Sequence, residues 1–281
     1  MSTATTPAGV RALPTREQVM PQARRENFTV ASALLGRRRA RHLLAIYGFA
    51  RLVDDVGDEA VGDRDALLDL VALELRRAFA EPGLAPPEHP LMQSLAATVR
   101  ECRLPIGPFE RLIEANRLDQ ILTRYESFPQ LLDYCQLSAA PVGELVLGVF
   151  GAATLNRVAL SDRVCAGLQV VEHLQDIAED HGRGRVYMPR EDLERFGCEE
   201  QDLAAAARPS ANLRALICFE AARARALLGS GAALARTLPP APRLAVAGFV
   251  AGGLRALDEL EWGGTARAAY MWQMLRTAAG R

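Results

Sequence analysis

The feature that most constrains this chain is a helical pattern that continues, segment after segment, from about Asn27 onward. Ala, Leu, Arg and Glu dominate these segments, and the alternation of β-branched residues that strands require is missing. Proline and glycine separate one segment from the next. The pattern therefore predicts an all-α fold, with helices over residues 37–58, 63–80, 90–102, 108–126, 129–155, 160–181, 210–237, 241–259 and 264–279.

The chain is long enough for one large helical domain. Area scaling for 281 residues predicts that folding buries about 73% of the surface of the unfolded chain. Neither an internal repeat nor a shift in composition marks a domain boundary. We therefore expect a disordered tail over residues 1–15 and a single domain over residues 16–281. Thr15 and Gln18 have the spacing of a capping box, which predicts a short helix at the start of that domain.

The chain contains no lysine, so arginine supplies all 33 of its Lys and Arg positions. This excludes Walker-A nucleotidases, protein kinases, pyridoxal enzymes and class I aldolases, because each of them depends on a lysine amine. Any phosphate must therefore be held by arginine, by backbone amides or by a metal ion. The formal net charge of −1 argues against a nucleic-acid partner, which would require a basic surface.

The sequence predicts a cytoplasmic protein. No apolar run reaches the roughly 20 residues of a membrane span. Pro7, Arg11, Pro14 and Arg16 interrupt the N-terminal segment where a signal peptide would need an apolar core. The five cysteines are widely spaced and odd in number, which is typical of free thiols in a reducing compartment. Peripheral contact with a membrane is compatible with these observations.

Aspartates four residues apart share one face of a helix, and three such pairs occur in the predicted helices. The pair Asp65/Asp69 has an ordinary explanation, since it begins a helix whose dipole favours acidic residues in the first turn. The pair Asp54/Asp58 ends a helix that is apolar on its other sides, and such a helix is buried. Two buried carboxylates need cations or a wet cavity, and Arg51 can neutralise only one of them. This pair predicts an apolar pocket with an acidic rim.

The third pair, Asp176/Asp180, belongs to a polar stripe that also includes Glu172. By itself the stripe is typical of an amphipathic surface helix, and His173 beside it is typical of a surface histidine. The stripe is followed by the loop His181–Pro189, which contains two glycines and two arginines. Aspartates beside arginines, in a chain without lysine, suit a diphosphate held by Mg²⁺ on one side and by guanidinium groups on the other.

Several segments carry a specific resemblance to a known family. They are Asn27–Ser32, Ile46–Glu59, Tyr134–Cys135, Gln169–Asp180 and Gly184–Pro189. On these segments the chain resembles the squalene/phytoene synthase family, and the resemblance extends from about residue 24 to residue 258. Within that family the chain is most similar to the hydroxysqualene synthases of bacterial hopanoid pathways, on the segments Asn27–Ser32, Ser138–Gly143 and Asp192–Gly197.

The resemblance implies an isoprenoid synthase helical bundle with a central substrate cavity. The implied activity is Mg²⁺-dependent: presqualene diphosphate loses diphosphate and gains water to give hydroxysqualene, with no NADPH. The Mg²⁺ ligands implied in this way are Asp54, Asp58, Asp176 and Asp180. Catalytic roles near the reacting carbons are implied for Tyr47 and Tyr134. Substrate contacts are implied for Asn27, Phe28, Arg51, Gln169, Arg185 and Tyr187.

Two residues depart from the family pattern. Glu172 stands where relatives usually have Asn, and Ala140 stands where they commonly have Asn. These departures leave the substrate open. The alternatives are condensation of two prenyl diphosphates to presqualene diphosphate, squalene, phytoene or dehydrosqualene. A non-enzyme alternative is a catalytically inactive helical assembly factor, and the intact aspartate pairs argue against it.

The implied partners follow from the same resemblance. They are a prenyl diphosphate, either presqualene diphosphate or farnesyl diphosphate, and neighbouring enzymes of the pathway. If water ends the reaction, it must be admitted singly into a dry site. The polar side chains available to position it near Tyr134 are Gln136, Ser138 and Gln169.

Overall fold

The computed structural model describes residues 12–21, 28–81 and 85–262, with the backbone alone over residues 28–34. In these ranges every regular element is a helix, and a single isolated β-bridge joins Arg124 to Val186. The all-α prediction is confirmed. None of the helices in these ranges has the length and the apolar composition needed to cross a membrane.

The helices are α1 (Arg16–Val19), α2 (Phe28–Asp58), α3 (Arg64–Phe79), α4 (Pro90–Cys102), α5 (Gly107–Leu118), α6 (Phe128–Ser138), α7 (Ala140–Val149), α8 (Leu155–Gln175), α9 (Ile177–Gly182), α10 (Arg190–Phe196), α11 (Ala211–Gly231), α12 (Ala233–Arg236) and α13 (Pro240–Trp262). A 3₁₀ helix over Glu200–Ala205 lies between α10 and α11 in the chain. The predicted helix over residues 264–279 lies outside the described residues.

The chain divides into two compact units. The first unit comprises the residues up to 121 together with 144–153, and the second comprises 122–143 together with the residues from 154 onward. The single domain predicted over residues 16–281 stays a prediction, as does the central cavity.

The first unit is built around α2. Gly36 interrupts this helix with a φ of 78° and a ψ of 155°, a conformation that strains residues with a side chain. The regular part therefore begins at residue 37, as predicted. The helix packs against α1, α3, α4 and α5, and the apolar residues buried along its last turns are Ile46, Phe49, Leu52, Val53 and Val56. The prediction of a helix that is apolar on nearly every side is confirmed.

The ordered chain begins earlier than the predicted boundary at residue 15. Leu13 is only 3% exposed, and the Pro14 carbonyl lies 2.9 Å from Nε2 of His89. Residues 12–15 are therefore packed, while residues 1–11 of the predicted tail lie outside the described residues. The predicted capping box is present: Thr15 N–H donates to Oε1 of Gln18 at 2.7 Å.

The second unit is centred on α8, which packs most extensively on α11, with α13 in contact with both. Gly231 allows this close approach, because a Cβ there would lie 2.9 Å from the carbonyl oxygen of Leu160. The helix α10 is joined to α11 by a buried cluster in which Arg223 contacts Asp192 (2.5 Å) and Glu220 (2.9 Å). Burial raises the pKa of Glu220, so one guanidinium suffices for the two carboxyls.

Four predicted helices differ from the observed ones, and one of them, 210–237, divides into α11 and α12 at Ala232. The predicted helix 108–126 ends at Leu118, and 129–155 divides into α6 and α7 at Ala139. Pro141 in the first turn of α7 explains the division, because proline has no N–H to donate and disfavours helical geometry before it. The predicted helix 160–181 begins earlier, at Leu155, and divides at Asp176. The short helix α10 and the 3₁₀ helix were not predicted.

Candidate active site

The first acidic pair, Asp54 and Asp58, lies in the last two turns of α2. Solvent reaches the Asp54 side chain, and Nδ2 of Asn116 donates a hydrogen bond to its Oδ1 at 3.1 Å. Asn116 belongs to α5 and is 7% exposed. One turn later, Nε2 of Gln120 donates to the Gly57 carbonyl at 3.0 Å. Two amide side chains, one in the last turn of α5 and one just after its end, thus support the acidic end of α2.

Gly57 is required for this contact. A Cβ at residue 57 would lie 2.1 Å from Oδ1 and 2.9 Å from Cγ of Asn116, which are distances that no side chain tolerates. The glycine between the two aspartates therefore lets the Asn116 amide approach α2. Sequence reasoning singled out neither Asn116 nor Gly57. The spacing of Asn116 and Gln120, four residues apart within the predicted helix 108–126, was the available signal.

The pKa of Asp54 differs from that of an ordinary exposed carboxyl. Its pKa is raised from 3.8 to about 7. The largest cause is desolvation, to which the charge of Asp58 adds, whereas the hydrogen bond from Asn116 lowers the pKa. The side chain is exposed to solvent, but the protein atoms around it still disfavour its charged form. This agrees with the acidic rim that the sequence predicts.

In metal-free protein, Asp54→Asn should raise the melting temperature more at about pH 8 than at about pH 5. Because the folded pKa of Asp54 is raised to about 7, its stabilising contribution is present at acid pH and is lost as the pH rises through 7. Asparagine keeps an acceptor for Asn116 and carries no charge. Thermal unfolding in EDTA measures the difference, with Asp65→Asn at an exposed position of α3 as the control. An equal effect at both pH values would contradict the raised pKa.

Arg51, which the resemblance places at the substrate, is engaged by other carboxylates of α2. Its Nε lies 2.7 Å from Oδ1 of Asp55, and its Nη2 lies 3.4 Å from Oε1 of Glu59. Burial raises the pKa of Asp55, and Arg51 opposes that shift. The direct ion pair of Arg51 is thus made with Asp55, and at Asp54 the charge of Arg51 only lowers a pKa that other causes raise.

Two further residues on α2 were predicted to contact substrate or reacting carbons. Tyr47 is half-buried two turns before Asp54. Phe28 begins α2 and only its backbone is described. Asn27 lies outside the described residues. The roles of these three residues stay predictions.

The second acidic pair lies at a break between α8 and α9. Asp176 has a φ of −104° and a ψ of 12°, between the two helices, and Asp180 N–H donates to its carbonyl at 2.8 Å. The predicted continuous helix is therefore divided, but the two aspartates are still one turn apart. Burial raises the pKa of Asp176, and Asp180 and Glu179 add the largest like-charge contributions. Glu172, predicted as the third carboxylate of this stripe, lies one turn before Asp176 in α8.

Four aromatic rings form a cluster in the second unit: Tyr125, Tyr134, His173 and Tyr187. Tyr187 is central, with ring centroids 3.7 Å from His173, 5.6 Å from Tyr125 and 5.7 Å from Tyr134. His173 and Tyr134 are buried. The interpretation of His173 as a surface histidine is wrong, because α8 turns this residue inward against the loop that carries Tyr187. Tyr125 was not predicted, since nothing local to it distinguishes it from a core tyrosine.

The arginine loop is held by a neighbouring segment of the same unit. Val186 N–H donates to the Thr123 carbonyl, and Arg190 N–H donates to the Tyr125 carbonyl, both at 2.9 Å. Arg185 N–H donates to the Asp180 carbonyl at 2.9 Å. A cavity of about 10 Å³, close to the volume that one water needs, is lined by His173, Ile177, Asp180, Arg185, Val186, Tyr187, Met188 and Leu203. The loop thus brings Arg185 and Tyr187, both predicted at the substrate, to the same cavity wall as Asp180.

The donor set suits Mg²⁺ shared with a phosphate ligand. No group of three or more His, Cys, Asp and Glu side chains among the described residues is arranged to hold a metal ion. Mg²⁺ is usually bound by one or two carboxylates, with substrate phosphates and waters as the other ligands. Each aspartate pair offers two carboxylates, and at Asp54 the charge of Asp58 adds to the desolvation that raises the pKa. The residues therefore fit Mg²⁺ bound with a diphosphate.

Comparison with known proteins then decides the family. The squalene/phytoene synthase family profile matches residues 22–275 of the chain. The chain belongs to the squalene/phytoene synthase family. This confirms the resemblance to that family, and it identifies the all-α fold as that of an isoprenoid synthase.

The most informative relatives carry different activities within this family. The chain is 36% identical to the hydroxysqualene synthase of Rhodopseudomonas palustris over 229 residues, which covers 75% of this chain and 71% of the relative. It is 30% identical to the phytoene synthase of Mycobacterium tuberculosis over 200 residues, with 70% and 65% covered.

Solved structures agree with this assignment. The crystal structure of squalene synthase HpnC from Alicyclobacillus acidocaldarius is similar with a TM-score of 0.77 and 40% identity, over 93% of this chain and 98% of that one. A dehydrosqualene synthase in complex with ligand has a TM-score of 0.79 at 21% identity, over 92% and 93% of the two chains. At that identity the second likeness concerns the fold alone.

Proposed function

We propose that this protein is a Mg²⁺-dependent hydroxysqualene synthase, which acts on presqualene diphosphate, releases diphosphate and adds water. The observation that carries the proposal is the Asp54/Asp58 pair at the end of α2, in which the exposed Asp54 carboxyl accepts a hydrogen bond from Asn116. This pair occurs in a chain 36% identical to a hydroxysqualene synthase. An acidic pair in that state is suited to a cation that arrives with an anionic substrate, which is what a diphosphate-releasing enzyme needs.

The aspartates that would hold Mg²⁺ are Asp54, Asp58, Asp176 and Asp180. When bound, Mg²⁺ neutralises charge that develops on the departing diphosphate. The protein prepares for this by keeping Asp54 in place through Asn116. Because a protonated carboxyl is a poor ligand, and the pKa of Asp54 is raised to about 7, metal affinity at this residue should increase as the pH rises.

Arg185 and the aromatic cluster supply the other half of the chemistry. Arg185 lines the same small cavity as Asp180. A guanidinium group beside an acidic pair can donate two parallel hydrogen bonds to diphosphate oxygens. The rings of Tyr134 and Tyr187 are 5.7 Å apart and present polarisable faces that stabilise a carbocation after the diphosphate leaves. Gln169, also predicted at the substrate, contacts Nε2 of His173 at 3.3 Å.

The reaction ends when a water oxygen forms a bond to the carbocation and a proton is released to a base or to solvent. Ser138 is the best placed of the three predicted polar side chains. Its Oγ is buried and has no hydrogen-bond partner among the described residues, one turn after Tyr134 on the same face of α6. A buried hydroxyl with unused capacity is suited to hold a single water. Gln136, by contrast, is exposed.

The test is turnover of presqualene diphosphate in ¹⁸O-labelled water, with Mg²⁺ and with or without NADPH, followed by mass analysis of the product. We expect hydroxysqualene with a labelled hydroxyl, formed equally well without NADPH and lost in EDTA. Squalene formed only with NADPH would replace the proposal with a reductive squalene synthase. Products formed from farnesyl diphosphate alone would indicate a condensing synthase, and folded protein without turnover on either substrate would indicate an assembly factor.

A further inference from the structure

His173 contacts three residues to which the proposed function gives roles. It is 8% exposed, and its ring lies parallel to that of Tyr187, with 3.7 Å between centroids and 11° between planes. Its Nε2 lies 3.3 Å from Nε2 of Gln169, and its Nδ1 lies 3.8 Å from Oδ2 of Asp180. One side chain thus spans a predicted metal ligand and two predicted substrate-binding residues.

The contacts indicate how the ring is oriented. Nε2 of His173 lies within hydrogen-bond distance of the Gln169 amide, which can serve as donor or acceptor to match the tautomer of the ring. Nδ1 is the ring nitrogen nearer to Asp180. At 3.8 Å this is an electrostatic contact rather than a hydrogen bond, and it leaves the carboxylate oxygens available to other ligands.

The ring uses its faces and its edges for different purposes. The face of the ring stacks on Tyr187, whereas one edge nitrogen contacts Gln169 and the other lies near Asp180. Phenylalanine could supply only the stacking, and glutamine could supply only the polar contacts. A core histidine with a purely packing role would not need its two nitrogens beside two polar side chains, those of Gln169 and Asp180.

We propose that His173 is a positioning residue for the diphosphate and metal site of the second unit, acting through Asp180 and Tyr187. This inference rests on the proposed function. Residues that orient metal ligands without touching the metal commonly change metal affinity 10- to 100-fold when replaced. His173 stands in that relation to Asp180, and it orients the ring of Tyr187 on the same cavity wall.

The test compares His173→Phe, His173→Gln and the control His181→Phe, a histidine of α9 for which no role is proposed. Binding of Mn²⁺ in the presence of inorganic pyrophosphate is measured by the electron paramagnetic resonance signal of the free ion. The Mg²⁺ dependence of turnover and the separate effects on kcat and KM are measured on the same proteins. The melting temperature of each variant shows whether it is folded.

We expect His173→Phe to stay folded, because it keeps the stacking on Tyr187, and to weaken Mn²⁺ binding about tenfold or more. The Mg²⁺ concentration for half-maximal turnover should rise in parallel. His173→Gln should recover part of the metal affinity, which makes the proposal testable if the phenylalanine variant is unstable, and His181→Phe should bind as the parent does.

Equal Mn²⁺ binding by the parent and by both His173 variants would overturn the positioning role and leave the proposed function intact. Failure of the parent itself to bind Mn²⁺ with pyrophosphate, together with full turnover in EDTA, would overturn the metal dependence of the proposed function. The inference about His173 would then fall with it.

Discussion

Asp54→Asn should reduce turnover of presqualene diphosphate by roughly 100-fold or more, in a protein that remains folded. The substitution keeps the size of the side chain and an acceptor for Asn116, but it removes the anionic oxygen proposed to hold Mg²⁺. Asp176→Asn should have a comparable effect in the second unit. Since each change relieves repulsion in a crowded acidic pair, the melting temperature without metal should be maintained or should rise. Product analysis and thermal unfolding measure the two properties.

The matched control is Asp65→Asn, which also removes one carboxylate from a pair with the same spacing. Asp65 is exposed in the first turn of α3, where acidic residues are favoured by the helix dipole. We expect its activity to equal that of the parent. Full activity in Asp54→Asn, or a melting temperature far below that of the parent, would contradict the proposed role of this residue.

Gly57→Ala should reduce both stability and turnover. A Cβ at this position would lie 2.1 Å from Oδ1 of Asn116, so the amide must move away from α2 and from Asp54. Overpacking a site of this kind costs about 1–3 kcal/mol. The loss of the Asn116 contact should in addition release Asp54, so we expect turnover to fall about tenfold or more, as for other residues that orient a metal ligand. Chemical unfolding and kinetics with presqualene diphosphate measure the two effects.

The control is Gly229→Ala, because Gly229 lies within helix α11 and a Cβ there would meet nothing within 4 Å. Replacing such a glycine should stabilise the protein by about 0.5–1 kcal/mol. The double variant Gly57→Ala/Asn116→Ala separates the two effects of the first substitution. Removing the amide should restore stability but not turnover. If turnover returned with stability, Asn116 would have no part in holding Asp54.

Local patterns were sufficient for much of the helical framework. The helix α4 has the predicted bounds, because Pro90 begins it and the helical pattern ends at Cys102. The regular part of α2 begins after Gly36 for the same kind of reason. Helix ends of this type depend on residues within one or two turns, whose preferences are visible in the sequence. The predictions were less accurate where a helix ends without proline or glycine, as α5 does at Leu118.

The partners of the site residues were not predictable in the same way. Arg51 pairs with Asp55 rather than with Asp54, although both lie within one turn of it, because side-chain direction on a packed helix depends on its neighbours. His173 is buried against Tyr187, a residue 14 positions later in a loop. The stripe pattern gave no sign of this, since a helix face can be covered by a loop as well as by solvent.

By itself, therefore, the sequence determined that the chain is helical, that two aspartate pairs lie one turn apart, and that arginine must serve any phosphate. These properties follow from helical periodicity and from composition, which act over a few residues or over the whole chain. Only the tertiary structure decided that Asn116, 62 residues away, holds Asp54, that Gly57 makes room for it, and that His173 joins Gln169 to Asp180. Such contacts depend on which helix surfaces meet, and that is a property of packing between distant segments.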